Sequence, residues 1–278
     1  MPACVGNNCF SDKMIIHYDI GDVAEYINWL YFFHAWGLTG KPETEKMRLR
    51  AEAEEMLGQW SGRYRTHALA VIADANSDGD DIIANGVRIP FLRQQEPSEP
   101  GQPCLCLADF VRPASMGIAD KIGLFATTVD EEAVKNSSAD CYSALMAQTL
   151  ADRLAEAAAE KLHQQVRTRI WGYVPNENLS VGDLLSGRYQ GIRPAVGYPS
   201  MPDTGINFVL DSIIGLQQIG IRLTESGMMI PHASVSGLML SHPEARYFDI
   251  GTVGDDQLED YARRRGLPVE TIRKFVKQ

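Results

Sequence analysis

Seven apolar residues, Met146, Leu150, Leu154, Ala158, Leu162, Val166 and Ile170, recur at every fourth position of one segment. Residues four apart share a helix face, so this spacing predicts a helix over residues 139–171 with a single apolar stripe. A helix of that length needs another layer to cover the stripe. The flanking sequence supplies it. Residues 67–73, 80–89, 105–111, 121–128, 235–240 and 246–250 read as strands, with residues 74–79 as a hairpin turn. Further helices are expected over residues 21–36, 42–60, 206–219, 255–265 and 268–276. On the second of these, Met47, Ala51, Met56 and Trp60 are expected to be buried. The order is mixed, without regular βαβ alternation, so the expected class is α+β with a largely antiparallel sheet.

Composition removes several alternatives. The net charge of -10 argues against a general nucleic-acid binder. The most apolar run, residues 27–38, is interrupted by Asn28, His34 and Gly37, and no membrane span is expected. The N-terminus has no basic start followed by an apolar stretch, so it does not read as a secretory signal. Five cysteines suit a reduced, cytoplasmic setting better than a disulfide framework. Residues 1–20 read as a polar leader and residues 21–278 as the domain.

Most local motifs have a plain structural reading. Asp74 to Gly79 matches the first half of a calcium loop, but the twelfth position is Asn85 where a bidentate Glu is required. Cys104 and Cys106 on a strand would point to opposite faces, so buried structural thiols fit better than a metal site. Neither GxGxxG nor GxxxxGK[ST] occurs. At the C-terminus, Ala262, Gly266 and Ile272 fall at helix-turn-helix spacing. Arg263, Arg264, Arg265, Arg273, Lys274 and Lys277 outnumber the nearby acids, which offers either DNA or an acidic partner a basic patch. The competing reading is a helical hairpin that closes the fold.

Two features point to a small-molecule site. Asp152, Glu156 and Glu160 follow at i, i+4 and i+8 on the face opposite the stripe, where like charges repel. Either that face is solvated, or one carboxylate meets a cationic ligand. Residues 191–203 contain Pro194, Pro199 and Pro202 and form neither helix nor central strand. Within that stiff loop Arg193 offers a planar fork for a carboxylate, Gly197 close backbone approach, and Tyr198 a ring and a hydroxyl.

These stretches carry a family resemblance. Residues 106–111 (CLADFV), 150–157 (LADRLAEA), 171–173 (WGY), 191–195 (GIRPA), 197–199 (GYP), 223–226 (LTES), 233–237 (ASVSG), 242–247 (HPEARY) and 260–264 (DYARR) resemble, in order, the S-adenosylmethionine-binding activation domain of cobalamin-dependent methionine synthase. The resemblance implies a C-shaped α+β domain with a twisted antiparallel sheet. It implies S-adenosylmethionine bound by Asp109, Glu156, Arg193 and Tyr247, completed by Pro194, Ala195, Gly197, Tyr198 and Phe248. It also implies a methyltransferase component of methionine biosynthesis that supports reductive methylation of cobalamin on a partner. Flavodoxin or another donor would supply the electron. No general base and no bound metal are implied.

Two departures accompany the resemblance. The family carries a histidine followed by Thr-Glu-Lys where this chain reads Thr204-Gly205-Ile206-Asn207, near the family's corrin-facing side. Nothing resembles a corrinoid motif, homocysteine-binding zinc ligands or a folate barrel. The chain is therefore expected to act on the cobalamin domain of a methionine synthase or another corrinoid protein, as a free-standing reactivation protein. The alternatives are a sensor of S-adenosylmethionine without methyl delivery and a helix-turn-helix DNA binder.

Overall fold

The computed structural model describes residues 13–276. The elements in order are β1 (Met14–Asp19), α1 (Ile20–Ala24), α2 (Trp29–Ala35), α3 (Glu43–Trp60), β2 (Arg65–Asp78), β3 (Asp81–Ala84), β4 (Val87–Pro90), β5 (Asp120–Val129), α4 (Glu131–Ser137), α5 (Cys141–Gln165), α6 (Val181–Leu185), α7 (Ile206–Ile214), β6 (Arg222–Leu223), β7 (Met229–Ile230), β8 (Ser234–Met239), α8 (Asp255–Arg265) and α9 (Val269–Phe275). Six strands form one curled antiparallel sheet, five of them in the order β4-β3-β2-β5-β8 and the sixth, β1, paired with β2 off that path. The expected α+β class is borne out.

The 14-residue β2 organises the sheet. Its first half pairs with β1 (Met14 opposite Ala70, Asp19 opposite Arg65) and its last residues pair with β3. Its other edge pairs with β5 along its length, and β5 then pairs with β8. Alternation sends Leu69, Val71 and Ala73 of β2 with Ile122, Leu124 and Ala126 of β5 into one core, beneath α7, α8 and α9. Ala68, Ala70, Phe125 and Val129 enter a second core, beneath α1, α3 and α5. Both faces of the sheet are covered, which is why residues 67–73 read as an apolar run.

Helix α5 lies across the second face, and its stripe is buried as expected from Met146 to Val166. Each fully buried Leu of that stripe contributes about 1.5–3 kcal/mol. Asp140 caps its start by accepting from the Tyr142 and Ser143 N–H groups. Its end loosens into a single π turn, Val166–Ile170.

Several expectations need correction. The boundary at residue 21 falls after β1, although most of the expected leader (residues 1–12) lies outside the described residues. The helix over 21–36 breaks into α1 and α2, because the Asn28 side chain accepts from Leu30 N–H and starts a new helix. On α3 the buried face is Leu49, Ala53, Leu57 and Trp60, while Met47 is 57% exposed. The expected hairpin turn at 74–79 is strand to Asp78, and Asn85-Gly86 with positive φ makes a second turn within 80–89. Residues 246–250 form no strand. Residues 105–111 hold a 3-10 turn, Leu107–Phe110, rather than a strand, because the Asp109 carboxylate accepts from Cys106 N–H.

Candidate functional site

The proline-bearing loop acts as an irregular neighbour of β8. Ile192 and Leu240 exchange two backbone hydrogen bonds, Pro194 O accepts from Leu238 N–H at 3.0 Å, and Val196 N–H donates to Ser236 O at 2.9 Å. Proline suits this edge because its carbonyl is used and its absent N–H is not needed. At Gly197, φ is +86°, and the N–H donates to Met201 O at 2.8 Å. That tight turn swings Tyr198 back toward α5, where its hydroxyl donates to Glu156.

A cavity of about 710 Å³ opens where this loop, α5, residues 184–189, residues 247–249 and the α1–α2 junction converge. That volume suits a small organic ligand. Arg193 sits at its floor with a side chain 10% exposed, its Nη2 donating to Glu160 at 3.1 Å and its Nη1 3.9 Å from Glu156. The repelling carboxylates of α5 are thus partly neutralised by one guanidinium. The balance is incomplete: Arg193 Nε and Glu160 Oε1 are buried without hydrogen-bond partners. Such atoms are costly when left unpaired, and their place beside the cavity fits a polar ligand. Tyr26, Tyr31, Tyr189, Tyr198 and Tyr247 supply rings and hydroxyls around it. Burial raises the Tyr198 and Tyr189 phenols above their usual range, and the neighbouring Glu156 adds to the shift at Tyr198.

Of the expected residues, Glu156, Arg193, Pro194, Ala195, Tyr198, Tyr247 and Phe248 line this cavity together. Tyr247 accepts the Arg193 N–H at 2.9 Å, so it also pins the loop. Gly197 lines an adjacent groove with Pro199 and Asp249, and its part is the turn itself. Asp109 is elsewhere. Both its oxygens accept from Arg93, at 2.6 and 2.8 Å, and one caps the 3-10 turn, so its charge is already matched within the chain. The next residue, Phe110, touches the site from behind through Phe248, with ring centroids 6.3 Å apart.

The expectation missed Tyr26, Asn28, Tyr31, Glu160, Tyr189 and Asp249. Asn28 was detectable as a helix-starting residue before Trp29; Tyr189 and Asp249 carry no local signal.

Two other segments are set by burial and pairing. Thr204 and Asn207 are buried, the first donating to Ser226 O and the second to Gly227 O, so this segment ties α7 to the sheet and to α9 and is no free surface. The C-terminal cations are largely engaged. Arg263 and Arg264 pair with Asp260, Arg264 also with Asp81, Arg265 with Asp203, and Arg273 with Asp255. Lys277 lies outside the described residues. The helix pair packs as a closing hairpin; Arg264 and Arg265 are drawn into it, while Arg263 and Arg273 pair with acids at the surface. Cys106 is wholly buried and its thiol is pushed up to about 12 by burial, which fits a structural thiol. No described helix is long and apolar enough to cross a membrane.

Residues 19–266 match the family model described as vitamin B12 dependent methionine synthase, activation domain. Among solved structures, the chain is similar to the MetH reactivation domain bound to AdoHcy. The two share 34% sequence identity and a TM-score of 0.88, over 98% of this chain and 94% of that chain.

Proposed function

The chain belongs to the activation-domain family of vitamin B12-dependent methionine synthases, and from that premise we propose that its cavity binds S-adenosylmethionine and presents the methyl group to a cobalamin-bearing partner. The observation that carries this reading is Arg193 between Glu156 and Glu160 at the floor of a tyrosine-lined cavity. The ligand has a carboxylate, an ammonium and a sulfonium. The Arg193 fork, with donors to spare, suits the first. Glu156, Glu160 and Asp249 suit the cations, and the tyrosine faces favour them further. Asp109, already paired with Arg93, is left out of this assignment.

Partner-bound cobalamin would supply the methyl-accepting centre and the redox chemistry. What this chain contributes is binding and orientation. Tyr198 and Glu156 fix the near wall, and the β8-bonded loop holds Arg193 in place, so the sulfonium methyl meets its acceptor in one geometry. Tyr31, 58% exposed, and half-exposed Tyr198 and Tyr247 form an aromatic surface around the cavity that suits a flat macrocycle. The partner is a methionine synthase cobalamin domain or a related corrinoid protein. Flavodoxin or another one-electron donor completes the reaction, and the paired C-terminal arginines offer such a donor few free cations.

Titration calorimetry tests the site. Wild type should bind S-adenosylmethionine, and Arg193→Lys, which loses the fork, should weaken it about tenfold or more. Glu156→Gln should cost S-adenosylmethionine more affinity than S-adenosylhomocysteine, whose sulfur is neutral. No binding by the wild type, or equal affinities in all three proteins, overturns the assignment.

A further inference from the structure

Behind the cavity lies a buried ion pair that the site does not use directly. Arg167, fully buried in the π turn that ends α5, donates to Glu177 through Nε and Nη2 at 2.7 and 2.8 Å. The Glu177 side chain is 3% exposed. Stability is a poor account of this pair, because desolvation can consume the Coulombic gain of a buried ion pair. Arg167 Nη1 is also buried without a partner, which adds to the cost.

The pair does have an orienting contact. The Arg167 guanidinium stacks 4.1 Å from the Tyr189 ring centre, and the His163 ring meets Tyr189 edge-on at 4.9 Å. Tyr189 is thereby fixed in two directions, and it is a wall of the cavity. Tyr247 lines the same cavity. Tyr247 in turn accepts the Arg193 N–H at 2.9 Å. Contacts thus run from Glu177 through Arg167 to Tyr189, which lies four residues before Arg193 on the same stretch of chain. Irregular π turns recur at functional sites, and here the turn brings Arg167 against Tyr189.

We propose that Arg167 and Glu177 are a positioning pair for the ligand carboxylate, acting through Tyr189 on the loop that carries Arg193. The inference rests on the ligand reading above. Arg167 touches no ligand; it sets where the loop that carries the Arg193 fork begins.

Replacing both charges, Arg167→Met with Glu177→Leu, avoids an uncompensated buried charge and should leave the fold intact. Two ligands separate positioning from general damage: S-adenosylmethionine and 5′-methylthioadenosine, which lacks the amino-acid group. The double variant should lose about tenfold affinity for the first and less than about threefold for the second. The selective loss should disappear when the pair is changed in an Arg193→Lys background. Arg167→Lys, which keeps the charge and loses the flat stack on Tyr189, should show the same selectivity and covers the case in which the double variant does not fold. Unchanged S-adenosylmethionine affinity, or equal losses for both ligands, overturns the proposal. Absence of binding by the wild-type chain would instead overturn the ligand reading itself, and the positioning with it.

Discussion

Gly237 shows how one residue can decide the site from outside it. It lies opposite Phe125 on β8 and against the proline-bearing loop, where an added Cβ would meet Pro194 O at 2.1 Å and Ala195 Cα at 2.9 Å. These are backbone atoms with little room to yield. Gly237→Ala should therefore push the loop off β8, break the Leu238–Pro194 hydrogen bond and cost about 1–3 kcal/mol, as overpacking does. Urea denaturation would show the loss, and calorimetry a weaker grip on S-adenosylmethionine. Gly266→Ala, at φ +64° in open space after α8, isolates the backbone penalty of about 1–2 kcal/mol and should leave binding alone. Nothing in the sequence near Gly237 announces this role, because the constraint comes from a segment 43 residues away. The carried-over residues behave the same way. Glu156 and Arg193, named from the family resemblance, meet only because the loop after Gly191 folds back onto α5. Asp109 looked equivalent until Arg93 claimed it, a pairing that depends on the fold and not on spacing.

At the scale of elements, α5 was legible because its stripe persists for seven turns and admits one period. Shorter signals were overridden. The break at Asn28 depends on a single side-chain cap, and the buried face of α3 was misassigned because Met47 lies on the opposite side of the helix from Leu49, so apolar residues occur on both sides. Strand β1 is six residues of an edge pairing, too short to separate from a leader. Helix α5 also carries a testable pH dependence. His163 is fully buried, and its pKa is held well below 6.5, first by desolvation and then by Arg167 and Arg193. Tyr173 and Tyr189 complete its surroundings. The folded protein keeps it neutral while the unfolded chain binds a proton below about 6.5. Its contribution is therefore present above that pH and is lost as pH falls, at up to about 1.4 kcal/mol per pH unit. The carboxylates with lowered pKa, such as Asp19 and Asp260, lose their contributions at lower pH, below the ordinary value of 3.8. Denaturation midpoints between pH 5 and 7 should decline for the wild type and decline less for His163→Gln; parallel declines would place the effect elsewhere.

The whole molecule is two cores on opposite faces of one sheet, joined through β2, β5 and β8. Every central strand sends alternate residues into both, so neither core can lose its packing while the sheet that bounds the other stays ordered. That arrangement predicts a single unfolding transition. The tryptophans make it measurable. Trp29, Trp36, Trp60 and Trp171, the four in the chain, all belong to the face covered by α3 and α5. Leu258 of α8 is buried in the other core, on the face that holds none of them. Leu258→Ala should cost about 2–5 kcal/mol by opening a cavity there. If the faces unfold together, tryptophan fluorescence and far-ultraviolet circular dichroism should move to the same lower urea midpoint. A matching loss in Leu154→Ala, on the tryptophan face, should add to it, since the two sites share no contacts. A fluorescence midpoint that stays at the wild-type value while the dichroism midpoint falls would mean two separately folding halves. The ligand cavity, formed by α5 on one side and by the β8-bonded loop on the other, would then survive damage to the α8–α9 face, and binding measured on Leu258→Ala in mild urea would report it.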